Sequence, residues 1–126
     1  MRRVHLLILA IVLTSCAHDM WVSERLFFGR SIPGGGMVSD EEWSAFVREV
    51  VTPRFPSGLT MHSASGQWRE ASGKIVSEPV VIIELLHPRS EADDRAIAEI
   101  VHAYREKFHQ EAVLRVRWRS RVSFTE

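Results

Sequence analysis

Two apolar stripes with helical spacing divide this chain, and each is bracketed by segments with the alternation of strands, which leaves few folds open. In the first, Trp43, Phe46, Val47 and Val50 fall at i, i+3, i+4 and i+7, one face of a 3.6-residue period. Ser39-Asp40-Glu41-Glu42 in front of it reads as a capping box, and Val38 can staple onto Trp43. Thr52-Pro53-Arg54-Phe55-Pro56 ends it, because proline lacks the helical amide and restrains the residue before it. In the second, Ile97, Ile100, Val101, Tyr104 and Phe108 form one stripe behind Ser90 as cap, with Asp93 at the third helical position.

The remaining segments supply four strands. Val22 to Gly29 precedes the first helix and leads into a flexible loop, Arg30 to Met37, containing Pro33-Gly34-Gly35-Gly36. Leu59 to Glu70 and Lys74 to Leu86 form a hairpin around Ser72-Gly73, with Gly66 a candidate bulge and Pro79 confined to a strand start, bulge or unpaired edge. Val113 to Phe124 closes the chain, with Leu114, Val116, Trp118, Val122 and Phe124 on one face and Arg115, Arg117, Arg119 and Arg121 on the other. The order β-α-β-β-α-β implies an α+β, ferredoxin-like domain: a four-stranded antiparallel sheet in spatial order 4-1-3-2, with both helices on one face. The run Val80 to Leu86 is apolar on both sides, so its second face needs cover. A second copy of the chain, packed sheet to sheet as a dimeric α+β barrel, is one way; shielding by arginine stems is the other. The arginines are expected on the exposed face, as protection against edge pairing or as a grip for an anionic headgroup or glycan.

The N-terminus carries an address. Arg2-Arg3 precedes the apolar run Val4 to Leu13, too short to span a bilayer but built like the core of an export signal. Leu13-Thr14-Ser15-Cys16 resembles the bacterial lipobox, which implies cleavage before Cys16 and acylation of its thiol. The expected organisation is a signal peptide over 1–15, a lipidated tether over 16–21 and a single domain over 22–126. The resemblance places the domain in a bacterial cell envelope, periplasmic and more in keeping with the outer membrane than the inner, because no aspartate follows the cysteine.

Composition narrows the chemistry. Without Arg2 and Arg3, fourteen basic side chains face sixteen acidic ones, a formal charge of −2, so the global basic field of nucleic-acid binders is absent. Cys16 is the only cysteine, which excludes a disulfide framework and, once it is acylated, a cysteine nucleophile or thiolate metal site. His102, Glu106 and His109 fall at i, i+4 and i+7, but opposite the apolar stripe, on the solvated face. The pattern signals neither a metal nor another cofactor.

Ferredoxin-like topology brings the ends of the first two strands and the starts of the last two to one edge. Gly29, Gln67, Trp68, Arg69, Glu78, Gln110 and Glu111 should converge there, with the glycine-rich loop as a lid. Trp68 offers an apolar wall and the amides both donors and acceptors, so Gln67, Trp68, Arg69, Glu78, Gln110 and Glu111 are candidate ligand-binding residues. The competing reading has the polar groups satisfying backbone at the strand ends, with Trp68 as core.

Phe27-Phe28-Gly29, Val51-Thr52-Pro53-Arg54-Phe55-Pro56-Ser57-Gly58-Leu59-Thr60, Gly66-Gln67-Trp68-Arg69 and Phe108-His109-Gln110-Glu111 together resemble a family of small bacterial proteins, often lipoproteins, defined only as a domain of unknown function. The chain departs from that pattern at Ala112, where a small hydroxyl residue is usual, and at Pro79. The family supplies no activity or catalytic residue. The expectation is a non-enzymatic envelope lipoprotein that binds a small ligand or an envelope protein. One alternative is a dimeric α+β barrel enzyme acting on a small apolar or aromatic molecule, with Glu78, Gln110 or Glu111 as base or positioning group; the other is a purely structural lipoprotein, lacking any concave site at either sheet end.

Overall fold

The apolar residues Val22, Leu26 and Phe28 bury one side of the first strand, and in the computed structural model, which describes residues 21–126, the helices pack against that side. The order is β1 (Trp21–Gly29), α1 (Asp40–Phe46) with a final π-type turn over Val47–Val51, β2 (Thr60–Arg69), β3 (Ile75–Pro88), α2 (Glu91–Phe108) and β4 (Leu114–Ser120). The strands lie in the order β2-β3-β1-β4, every neighbouring pair antiparallel. This is the expected α+β arrangement, with the 4-1-3-2 order read from the opposite edge. The expected signal peptide and Cys16 lie outside the described residues.

Local chemistry starts both helices where the sequence places them. Ser39 Oγ accepts from Glu42 N at 3.1 Å while the Glu42 carboxylate accepts from Ser39 N at 2.8 Å, a complete capping box. Ser90 Oγ accepts from Asp93 N at 3.0 Å. Behind these caps Phe46, Ile97, Ile100 and Tyr104 are wholly buried against Leu26, Phe28 and Ile83 of the sheet. Tyr104 meets Phe28 edge-on, with ring centroids 4.8 Å apart.

Four local expectations change. The glycine-rich segment is a tight turn, not a flexible lid: Ile32 N donates to Gly36 O, Gly35 N donates to Ile32 O, and Ser31 bridges Met37. β4 stops at Ser120, opposite Trp21 at the start of β1, and Phe124 beyond it is 86% exposed. The alternation along β4 holds but its sides are exchanged. Arg115 and Arg117 turn toward the helix side, where wholly buried Glu24 of β1 and part-exposed Asp94 of α2 receive them, and Leu114, Val116 and Trp118 occupy the open face. A buried carboxylate needs its countercharge close by, and Glu24 sets the strand's orientation through that need. The hairpin register runs unbroken past Gly66 and Pro79, so neither makes a bulge. Pro79 lies one residue past the last β1 pair, Gly29 with Val80, where its missing amide faces no strand; its carbonyl accepts from Arg30 N.

Candidate active site

Two strand glycines carve a depression into the open face of the sheet. Gly29 and Glu78 both stand on that face, and a Cβ at Gly29 would come within 2.6 Å of Glu78 Cδ; one at Gly66 would come within 2.6 Å of Val80 Cγ2. Real Cβ contacts do not come so close, so the Glu78 carboxylate and the Val80 methyl occupy the space that side chains at Gly29 and Gly66 would fill. The resulting cavity measures about 170 Å³ and opens to solvent. Phe27, Val76, Val80 and Leu114 supply its apolar floor and walls, Pro33 and Trp68 its sides, and Gln110 and Glu111 its rim.

Each polar group is held by a different element. Glu78 Oε2 accepts from Ser31 N at 3.0 Å, which ties β3 to the turn after β1; among the described residues no donor reaches Oε1. From the core side the Tyr104 hydroxyl donates to Gly29 O at 2.8 Å and pins the end of β1 under the carboxylate. Burial pushes that hydroxyl well above its usual pKa, with the positive charge of Arg30 opposing and Glu78 reinforcing the shift, so it stays a protonated donor. At the other rim His109 ends α2 in the left-handed conformation, φ 53°, and that turn throws Gln110 and Glu111 across the sheet end. Gln110 Nε2 donates to Ser31 O at 2.7 Å, and Glu111 accepts from Ala71 N at 3.2 Å and from Trp68 Nε1 at 3.4 Å.

The cluster expected from topology therefore assembles with one exception and divides by role. Gln67, Trp68, Glu78, Gln110 and Glu111 all line the cavity; Arg69 is exposed and takes no part. Gln110 satisfies the Ser31 carbonyl and Glu111 the Ala71 amide, the structural role of the competing reading, whereas Glu78 keeps one oxygen for the cavity. Trp68 is 44% exposed and is wall, not core. His102 and Glu106 are exposed on α2, and His109 leaves the helix as its cap, which breaks their spacing. Ser31 and the apolar floor escaped the sequence reading. Gly66 was their available signal: a glycine inside a strand marks either a bulge or a close approach, and here it is the approach.

Charge sharpens the picture. Among the described residues Glu70, Glu78 and Glu111 line the cavity and no lysine, arginine or histidine does. Arg30, the nearest candidate, spends its guanidinium on Val38 O at 2.6 and 3.0 Å and on Asp40 at 2.7 Å. The site favours cations and hydrogen-bond donors and repels phosphates and carboxylates.

Comparison with known proteins gives a family and a fold. The model of the family described as "Protein of unknown function (DUF3574)" matches residues 23–124. Among solved structures, a phage SAM lyase in complex with S-methyl-5'-thioadenosine matches with a TM-score of 0.61 at 19% identity, covering 86% of this chain and 94% of that one. A phage SAM lyase in the apo state matches with a TM-score of 0.59 at 16% identity, covering 90% and 99%. No curated protein matches the chain. These two neighbours run against the expectation of a non-enzymatic binding lipoprotein, because both are structures of an enzyme. The cavity likewise removes the purely structural alternative. The chain belongs to the DUF3574 family.

Proposed function

We propose that this DUF3574 protein is an enzyme acting on a small organic cation with an apolar or aromatic body, and that Glu78 is its general base. The observation that carries the proposal is the asymmetric carboxylate: Oε2 is fixed by Ser31 N–H, and Oε1 is left to a cavity of apolar walls and acidic rim. A carboxylate so held is oriented before substrate arrives. The apolar body packs against Trp68, Phe27 and Leu114, and the tryptophan face and carboxylates draw in the positive centre. In the elimination this arrangement suits, Glu78 Oε1 takes a proton from the carbon next but one to the cationic heteroatom. The released pair forms a carbon–carbon double bond, the carbon–heteroatom bond breaks, and its electrons leave with the heteroatom, which departs neutral. The shared fold with SAM lyase adds support, since SAM is a sulfonium cation carrying a nucleoside.

The test is calorimetric titration of the chain with SAM, with S-methyl-5'-thioadenosine and with an aryl ammonium ion, alongside chromatographic assay of product. The proposal expects a cation to bind, Trp68→Ala to weaken it about tenfold, and Glu78→Gln to bind substrate yet lose turnover. Failure of every cation to bind, or equal turnover by Glu78→Gln, would sink it.

We further propose that residues 1–15 are removed and Cys16 is acylated, so that the domain hangs from an envelope membrane. The support is the positively charged start, the short apolar run and the Leu13-to-Cys16 tetrapeptide; acyl chains add about 0.8 kcal/mol per buried methylene. Among the described residues no helix is long and apolar enough to cross a membrane. Metabolic labelling with palmitate should mark the wild-type chain and leave Cys16→Ser unmarked. Equal labelling of the two would remove the lipid.

A further inference from the structure

Among the described residues the helices cover one face of the sheet and nothing covers the other, on which the cavity opens. Leu86, Leu114, Val116 and Trp118 are 46%, 54%, 41% and 39% exposed there, around half-buried Phe27 and Ile82. Large contiguous apolar surface of this kind marks an interaction site on soluble domains. We infer that the occupant is a second copy of this chain, packed sheet to sheet, and that it roofs the cavity whose base is Glu78.

Charge on the face points to self-association. At its centre Arg25 pairs with Glu84 at 3.3 Å, Arg25 lies over the Trp118 ring at 5.2 Å, and His62 stands 3.5 Å from Glu84. One arginine and one glutamate side by side near the middle are self-complementary under a two-fold axis, since each copy can set its arginine by the other's glutamate. A face with a single sign of charge could not meet itself in this way. Size agrees as well. Four strands about 4.8 Å apart and seven to fourteen residues long present on the order of 600 Å² per copy, the lower end of the standard interface range. The covered surface is continuous with the cavity, because Leu114, Val76 and Glu78 lie on both. A partner seated there closes the mouth, excludes water and strengthens the field of Glu78 on a bound cation. The roofing half of the inference rests on the proposed catalytic reading, whereas the dimer itself does not.

Photo-crosslinking in cells tests it, with the full chain carrying benzoylphenylalanine in place of Val116, a face residue outside the cavity. The expected result is a covalent species of twice the monomer mass, lost in Leu86→Glu and kept in Met61→Glu, whose site is 48% exposed on the opposite face of β2. Absence of the doubled species, crosslinks only to other proteins, or equal loss in both variants overturns the dimer. Circular dichroism of each variant separates misfolding from dissociation. Roofing is read separately: Leu86 lines no part of the cavity, and the affinity of Leu86→Glu for the cation that binds wild type should fall about tenfold. Unchanged affinity in a proven monomer leaves the dimer and removes the roof; a dimer that binds no cation leaves the interface and removes the catalytic reading.

Discussion

Glu24 and Glu78 stand on adjacent central strands of one sheet, and their surroundings assign them opposite work. Glu24 points to the helix side and is wholly buried; Arg115 Nε donates to it at 2.8 Å, Arg115 Nη2 donates as well, and Arg117 Nε lies 3.4 Å away. Both of its oxygens are engaged, and Arg115 continues to Asp94 at 2.7 Å. Glu78 points to the open face, uses one oxygen on Ser31 N and keeps the other for an acidic cavity. A carboxylate with both oxygens engaged serves the fold. One with an oxygen to spare can serve chemistry.

Removing the buried partner should break the comparison most forcefully. Glu24→Gln leaves Arg115 with only part-exposed Asp94 as countercharge, and breaking such a buried pair costs about 3 kcal/mol. Urea denaturation should show that loss at neutral pH, and a loss under about 1 kcal/mol would show that Glu24 is not a structural counterion. Next comes Gly29→Ala, which forces the flexible end of Glu78 aside and off Ser31 N, at a cost of about 1 kcal/mol. Glu78→Ala should recover most of that loss in the double variant, and a cycle without coupling would separate the glycine from the carboxylate.

Asp94 sharpens the acid side. The hydrogen bond from Arg115 is the main cause that lowers its pKa below the usual 3.8, with burial opposing and the charges of Arg117, Arg115 and His87 adding to it. Its folded pKa is depressed, so its contribution is present above the unfolded pKa and is lost as pH falls through the folded value. The side chain is 41% exposed, and solvent screening holds the contribution within about 1 kcal/mol. Asp94→Asn should therefore lose that small amount at neutral pH and show a shallower decline below about pH 4. Smallest in stability is Glu78→Gln: the amide oxygen can still accept from Ser31 N, so unfolding should shift by less than about 0.5 kcal/mol while turnover disappears. A large loss of stability there would make Glu78 structural too.

The helices were legible because their information is local. The capping residues Ser39 and Glu42 and the stripe from Ile97 to Phe108 lie within a few residues of one another, and the structure satisfies them where the spacing requires. The convergence of Trp68, Glu78 and Glu111 was legible once the topology was in hand, since strand order alone brings those ends together. Direction was not. Alternation along β4 separates arginines from apolar residues but does not say which set turns to the helices; hydrophobicity by itself points the arginines outward. Glu24, ninety-one residues before Arg115, reverses that choice. The loop from Arg30 to Met37 reads as flexible from its glycines, yet the hydrogen bonds among Ile32, Gly35 and Gly36 close it.

By itself, then, the sequence determined the order of elements, their caps and the two glycines that leave room on the sheet, all properties of neighbouring residues and of periodicity. Only the tertiary structure decided which glutamate became a counterion and which kept a free oxygen. That choice depends on burial and on charges brought close from distant strands, and neither exists until the sheet has formed.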